Sequence, residues 1–244
     1  MGVSSMGVMT LVRHGQASLF AENYDELSAL GRNQARLLGE YWGRWGTGFD
    51  EVYCGPRARQ RQTAEVVGSA YTRAGRTWPE PVVLAELDEY DLGSLLHTLA
   101  PELSRHDSAF AERLEHYRRD EAGPDRERSF RKLFEALTMH WVTTSYSVAG
   151  VEGFPAFRDR VERGLRHVME KPGAGRRVAL FTSGGFIGTS VRLALDAPDR
   201  TALEVNWRVR NCSLTEFVFT SGRFTLDSFN ALPHLEDPAL RTYW

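Results

Sequence analysis

The chain has 244 residues, 42% apolar and 25% charged, ordinary globular values at a length that allows one α/β core with an insertion or two small domains. A formal net charge of −2 gives no general attraction to nucleic acid or to an anionic membrane, so any cationic site must be local. Two cysteines, Cys54 and Cys212, lack metal-ligand spacing and are too few for a disulfide scaffold, which fits a reducing cytoplasm.

The amino terminus carries no basic and apolar leader, and no apolar run approaches the length of a membrane span. Met1-Gly2 begins like a myristoylation signal, but Met6 stands where Ser or Thr is required, so a soluble, unprocessed chain is expected.

The run Val8-Met9-Thr10-Leu11-Val12 reads as a buried strand that stops at Arg13-His14-Gly15. In an open α/β sheet ligands gather at the carboxyl ends of strands, which places Arg13 and His14 in a crevice. Arg13 offers a planar fork of donors for an anion, Gly15 leaves room for a ligand near the backbone, and His14 can serve as a nucleophile. A strand-end histidine that merely caps backbone groups is the alternative for so short a motif.

A polar loop then runs through Tyr24-Asp25-Glu26-Leu27 to Ser28, the N-cap of a helix whose apolar positions are Leu30, Leu37, Leu38, Tyr41 and Trp45. After a turn over 46–50, Glu51-Val52-Tyr53-Cys54 is a second strand, ended by Gly55-Pro56. The next helix opens with Arg57, Arg59 and Arg61. At about 100° per residue Arg57 and Arg61 share one face and Arg59 lies opposite, so Arg59 is taken for an anion site at an electropositive helix start and the other two for a solvated face. Val82 to Ala85 reads as a third strand leading into Glu86-Leu87-Asp88-Glu89-Tyr90-Asp91, where one partly desolvated carboxylate is a candidate proton donor.

Residues 92–150 are helical and charge-dense, with one stripe through Phe110, Leu114 and Tyr117 and another through Phe130, Leu133, Phe134 and Leu137, separated by Gly123-Pro124-Asp125. They are expected to be a helical insertion within a single domain spanning 1–244, its stripes core and its charges solvated, with a lid over the crevice as the sharper alternative. A helix through Phe157, Val161, Leu165 and Val168 follows, then a break at 173–175 and a strand, Arg177 to Thr182, that delivers Ser183, Gly184 and Gly185 to its end. The helix after it runs through Val191 and Leu195 to Pro198, and Leu214–Thr220 with Arg223–Phe229 forms a hairpin through Ser221-Gly222. The tail offers no chemistry of its own.

Leu11-Val12-Arg13-His14-Gly15-Gln16, Leu27-Ser28 with Gly31 and Gln34-Ala35, Gly55-Pro56 with Arg59 and Gln62-Thr63-Ala64, and Leu87-Asp88-Glu89 together resemble the histidine phosphatase superfamily, also called phosphoglycerate-mutase-like. The resemblance implies a three-layer α/β/α sandwich with a mostly parallel central sheet. It also implies a small phosphorylated substrate and no metal or cofactor. His14 would attack phosphorus to give a phosphohistidine, Arg13 and Arg59 would hold the phosphoryl oxygens, and Glu89, with Glu86 as its rival, would protonate the departing alcohol. The chain departs from the family pattern at Thr182-Ser183-Gly184-Gly185, where Ser183 stands in place of a second histidine and, with Gly184, is left to donate to the phosphoryl group. His97, His106 and His234 are candidates to replace it from elsewhere in the chain, against a surface or loop position for each. Loss of one such donor costs about 10²- to 10³-fold in rate. A metal-independent phosphomonoester hydrolase is therefore expected, a phospho-ligand binding pseudoenzyme is the alternative, and a phosphoglycerate mutase ranks last because the segment after Glu89 lacks an Arg-x-x-Gly continuation.

Overall fold

Apolar or alternating runs of four to nine residues become the strands β1 (Gly7–Arg13), β2 (Glu51–Cys54), β4 (Arg177–Thr182), β5 (Leu214–Thr220) and β6 (Arg223–Ala231), with β3 reduced to Val82–Val83. These assignments come from a computed structural model that describes residues 6–17, 25–143, 148–171 and 174–243. Met1-Gly2, the loop to Tyr24 and Gly173 lie outside the described residues.

The strands form one sheet in the order β3-β2-β4-β1-β5-β6. The pairings β3-β2, β2-β4 and β4-β1 are parallel, and β1-β5 and β5-β6 are antiparallel, so the sheet is mixed and mostly parallel. Register aligns Val12 and Cys54 with Phe181, and Arg13 with Thr182. The carboxyl ends of β1, β2 and β4 therefore finish level, and the chain that leaves them converges on one rim.

One face of the sheet is covered by α1 (Ala29–Trp45) and α2 (Ala58–Arg73), whose Ala35, Leu38, Trp42, Ala64, Val67 and Tyr71 pack with Val12, Val52, Cys54, Ala179 and Phe181. Alternation along a strand sends Leu11 and Leu180 to the opposite face, so β1 and β4 are apolar on both sides. Of the stripe the sequence offered for α1 (Leu30, Leu37, Leu38, Tyr41 and Trp45), Leu38 is buried and Tyr41 packs against the core, but the face is completed by Gly31, Ala35, Gly39, Trp42 and Gly43, and Trp45 is 70% exposed. Small residues win that face because the two helices approach closely: a Cβ on Gly39 would lie 2.3 Å from the Val67 carbonyl oxygen. The expected third strand is also cut short, because Ala85–Leu87 turns into a 3₁₀ helix.

Contacts divide the chain into two compact units, Met1–Glu89 with Arg160–Trp244, and Tyr90–Asp159. The second unit contains α3 (Leu92–Ser94), a π-helical turn at Leu95–Leu99, α4 (Ala100–His106), α5 (Ser108–Asp120), α6 (Arg126–Thr143) and the start of α7 (Phe154–Met169). Its apolar stripes are the expected ones: Phe110, Leu114, Phe130, Leu133, Phe134 and Leu137 are buried. Trp141 is packed among Tyr90, Phe154 and Phe157, and its indole donates to the Glu152 carbonyl at 2.8 Å. In the first unit α8 (Gly184–Ala194) follows β4, and α9 (Arg200–Asn206), absent from the sequence reading, follows α8. Among the described residues no helix is long and apolar enough to cross a membrane.

Candidate active site

β1 ends at Arg13, and the next residue, His14, is 7% exposed. Its backbone is fixed on both sides: its N–H donates to the Thr182 carbonyl at 2.9 Å, and its own carbonyl accepts from Asn211 Nδ2 at 3.2 Å and from the Cys212 N–H at 3.3 Å. Gly15 is dictated by packing here, since a Cβ on it would meet the Gly31 carbonyl oxygen at 2.5 Å. The close neighbour is the backbone of α1, where the sequence reading left room for a ligand.

The imidazole has a partner at each nitrogen. Nδ1 lies 2.7 Å from the Gly15 carbonyl, and Arg59 Nε donates to Nε2 across 3.2 Å. A carbonyl can only accept and a guanidinium N–H can only donate, so the proton belongs on Nδ1 and the lone pair on Nε2. Burial first, then the charges of Arg59 and Arg13, hold the imidazole well below its ordinary value near 6.5, against a weaker opposing effect of the Gly15 hydrogen bond. His14 is thus a neutral imidazole with its basic nitrogen facing a guanidinium.

Arg59 sits in the first turn of α2 and is 3% exposed. Its Nη1 donates to Asp25 Oδ1 at 2.6 Å, while Asp25 Oδ2 accepts the Ala58 N–H at 2.8 Å. Asp25 therefore caps the helix start and aims Arg59 with one carboxylate. Thr63, one turn on, accepts the Gly15 N–H at 3.0 Å and donates to the Arg59 carbonyl at 2.6 Å, which locks the loop after β1 onto α2. Arg13 Nη1 donates to the Val209 carbonyl, and the charge of Arg13 bears on the same imidazole. Arg61 is exposed, but Arg57 differs from the solvated face expected of it: its Nε binds Asp88 Oδ1 at 2.6 Å.

The acidic loop is held from several directions. Thr182 Oγ1 and Gln60 Nε2 donate to the Leu87 carbonyl at 2.7 and 3.2 Å, and Arg160 Nη1 donates to the carbonyls of Asp88 and Glu86 at 2.9 and 3.3 Å. Glu89 Oε2 accepts the Gly185 N–H at 2.9 Å, at the start of α8, where backbone donors and the helix dipole favour negative charge. Glu86, its rival, has its Cβ against Gly164 of α7.

Ser183, the N-cap residue of α8, is completely buried, and its hydroxyl accepts from Gln60 Nε2 at 2.8 Å. Gly184 is bare because a Cβ there would lie 2.2 Å from Asn206 Oδ1. The structure thus sets Arg59 against the His14 imidazole with the charge of Arg13 bearing on it, and ties the Ser183 hydroxyl and the α8 N-terminus to Gln60 and Glu89. His97 and His106 lie in the second unit, and His234 is buried beside Tyr41, with ring centroids 6.4 Å apart.

Supporting residues were missed by sequence reasoning. The tail braces the site: Thr242 Oγ1 donates to Asn211 Oδ1 at 2.9 Å, and Gln34 Nε2 donates to Thr242 Oγ1 at 3.0 Å while Gln34 Oε1 accepts the Gln16 N–H at 2.9 Å. Asn211 and Gln34 are both fully buried, and polar side chains in that state are held for their hydrogen bonds. Both cysteines are buried, and burial pushes the Cys54 thiol up to about 11 and the Cys212 thiol higher still, which makes them packing residues.

Residues 9–138 and 126–232 match the histidine phosphatase superfamily (branch 1). Among solved structures the fold is similar to a phosphoglycerate mutase from Bacillus anthracis at 16% identity and a TM-score of 0.62, covering 95% of this chain and 96% of that one. It is also similar to a phosphoserine phosphatase from Entamoeba histolytica in complex with 3-phosphoglyceric acid, at 18% identity and a TM-score of 0.61, covering 94% of this chain and 100% of that one. An alpha-ribazole phosphatase from Shigella flexneri has 19% identity and a TM-score of 0.59, covering 92% of this chain and 96% of that one. No curated protein matches the sequence.

Proposed function

The chain belongs to the histidine phosphatase superfamily (branch 1), and we propose that it is a metal-independent phosphomonoester hydrolase working through a phosphohistidine on His14. The observation that carries the proposal is the buried, neutral His14, with its Nε2 lone pair turned to Arg59 and the charge of Arg13 close by. A phosphoryl group entering there meets two guanidinium groups that neutralise its oxygens and an imidazole nitrogen free to attack once Arg59 transfers its N–H to an oxygen. The non-bridging phosphoryl oxygens, over which charge is spread in the transition state, gain most from such fixed cations.

In the first step Nε2 forms a bond to phosphorus as the bond from phosphorus to the ester oxygen breaks. The electron pair leaves on that oxygen, which takes a proton from Glu89. In the second step a water gives its proton back to Glu89, its oxygen bonds to phosphorus, and the P–N bond returns its electrons to His14, releasing inorganic phosphate. Glu89 is favoured over Glu86 for this work because its carboxylate reaches the start of α8 at the strand rim, whereas the Cβ of Glu86 lies against Gly164 of α7.

Turnover of p-nitrophenyl phosphate at mildly acid pH, compared with His14→Ala, tests the proposal. Loss of activity by about 10³-fold or more, with labelled phosphate trapped on wild type and absent from the variant, is expected. Equal rates would overturn it. A binding pseudoenzyme is the second reading, favoured by Ser183, a neutral hydroxyl that accepts from Gln60 where the family pattern has a second histidine; tight phosphate binding without turnover in the same assay would establish it. Transfer of phosphate between the hydroxyls of a phosphoglycerate, in place of its release, would establish a mutase instead.

A further inference from the structure

Gln60 follows Arg59 in the first turn of α2 and is completely buried, yet it takes no part in the chemistry described above. Its amide is nevertheless fully used. Nε2 donates to Ser183 Oγ at 2.8 Å and to the Leu87 carbonyl at 3.2 Å, and Oε1 accepts the Arg57 N–H at 3.1 Å. Gly55 leaves it room, because a Cβ there would lie 2.1 Å from Gln60 Oε1.

A planar amide with both ends bonded fixes the separation of everything attached to it. Here it joins the α2 start, which carries Arg59, to the loop that carries Glu89 two residues beyond Leu87. It also joins the end of β4, from which α8 begins and presents the Gly185 N–H to Glu89. The acid loop, the end of β4 and the α2 backbone meet at one buried side chain.

We propose that Gln60 is a positioning residue that sets Glu89 against the leaving-group oxygen while His14 and Arg59 hold the phosphoryl group. The inference rests on the phosphohistidine reading above and adds a requirement to it. Replacing the amide by an apolar chain takes this partner from the Ser183 hydroxyl and the Arg57 N–H and leaves the Leu87 carbonyl to Thr182 alone, so the acid loop loses its tie to the α2 start. The phosphoryl grip, built from Asp25, Arg59, Thr63 and His14, does not pass through Gln60.

That separation gives the role a signature. Help from a general acid matters in proportion to the basicity of the departing oxygen, so it counts for an alkyl phosphate and little for a nitrophenyl phosphate. In Gln60→Leu, the single-turnover rate of His14 phosphorylation by glycerol phosphate is expected to fall by about 10²-fold while that by p-nitrophenyl phosphate falls by less than about 5-fold, with the half-saturating concentration of both nearly unchanged; this step alone depends on the leaving group. Should Gln60→Leu fail to fold, Gln60→Glu keeps the size and the acceptor for the Arg57 N–H, loses the donors, and is expected to show the same split more weakly.

Parallel loss on both substrates, or no loss on either, overturns the positioning role and leaves the phosphatase reading standing. Absence of wild-type turnover on both substrates, with no phosphate trapped on His14, overturns the phosphatase reading and this role with it.

Discussion

Two buried arginines stand at opposite ends of the same sheet, each beside a carboxylate. Arg176, just before β4, is 6% exposed; its Nε donates to Glu51 Oε1 at 2.8 Å and its Nη1 to the carbonyls of Val168 and Lys171 at 2.8 and 3.1 Å. Lys171 Nζ and the Tyr53 hydroxyl complete the cluster on Glu51 Oε2 at 3.2 and 2.5 Å. Arg59, 3% exposed at the carboxyl end of the strands, binds Asp25 at 2.6 Å and turns its Nε to an imidazole lone pair at 3.2 Å. Burial and ion pairing are alike in the two; the partners differ. The acceptors around Arg176 belong to the fold and yield only when it unfolds, whereas the contact from Arg59 to His14 is one that a phosphoryl oxygen can take over.

Exchanging each arginine for methionine breaks the comparison most sharply. Arg59→Met should lower kcat/KM for an aryl phosphate by about 10³-fold, the upper range for one donor in an oxyanion site, with a small change in melting temperature because Asp25 is 38% exposed and remains solvated. Arg176→Met should do the reverse, costing about 3 kcal/mol in urea unfolding while turnover per folded molecule stays the same. Equal activity losses in the two variants would show that Arg59, too, serves the fold alone.

The next effect is smaller. Asp25→Asn keeps the shape that caps Ala58 and removes the charge that aims Arg59, so kcat/KM is expected to fall by about 10-fold, within the range a modest misplacement of a reacting group produces. Activity at wild-type level in Asp25→Asn would mean that packing against His14 alone holds the guanidinium.

The half of the site that sequence made legible is the half carried by local pattern. β1, β2 and β4 follow from short apolar runs punctuated by Gly or Pro, and the 100° step of a helix separates Arg59 from Arg57 and Arg61. What stayed hidden depends on partners far along the chain. Gln60 is polar at a buried helix start because Ser183 lies beside it, 123 residues away, and Asn211 is buried because the His14 carbonyl and Thr242 meet it. Asp25 reads as one acid in a polar loop until the fold brings Arg59 to it. The α1 stripe was misread for a related reason: apolar side chains were expected to face inward, but glycines let the neighbouring backbone come close, and the large Trp45 was left outside.

The smallest expected effect separates two histidines. His14 and His234 are each 7% exposed, but His14 has a partner at both nitrogens, whereas neither His234 nitrogen has one among the described residues. Burial alone pulls His234 from an ordinary value near 6.5 down to about 3, so it is neutral in the fold and the unfolded chain binds the extra proton between those limits. Stability is therefore full above pH 6.5 and is lost as pH falls towards 3, at about 1 kcal/mol for the first unit of acidification. His14, lowered for its own reasons, adds to the same trend, so His234→Leu should flatten the acid loss of the urea midpoint without abolishing it. Its turnover at neutral pH should match wild type, because His234 touches none of the groups around the phosphoryl site. If wild type and His234→Leu lost stability in parallel on acidification, the apolar surroundings of His234 would impose no penalty on its charge, and the contrast with the partnered His14 would vanish.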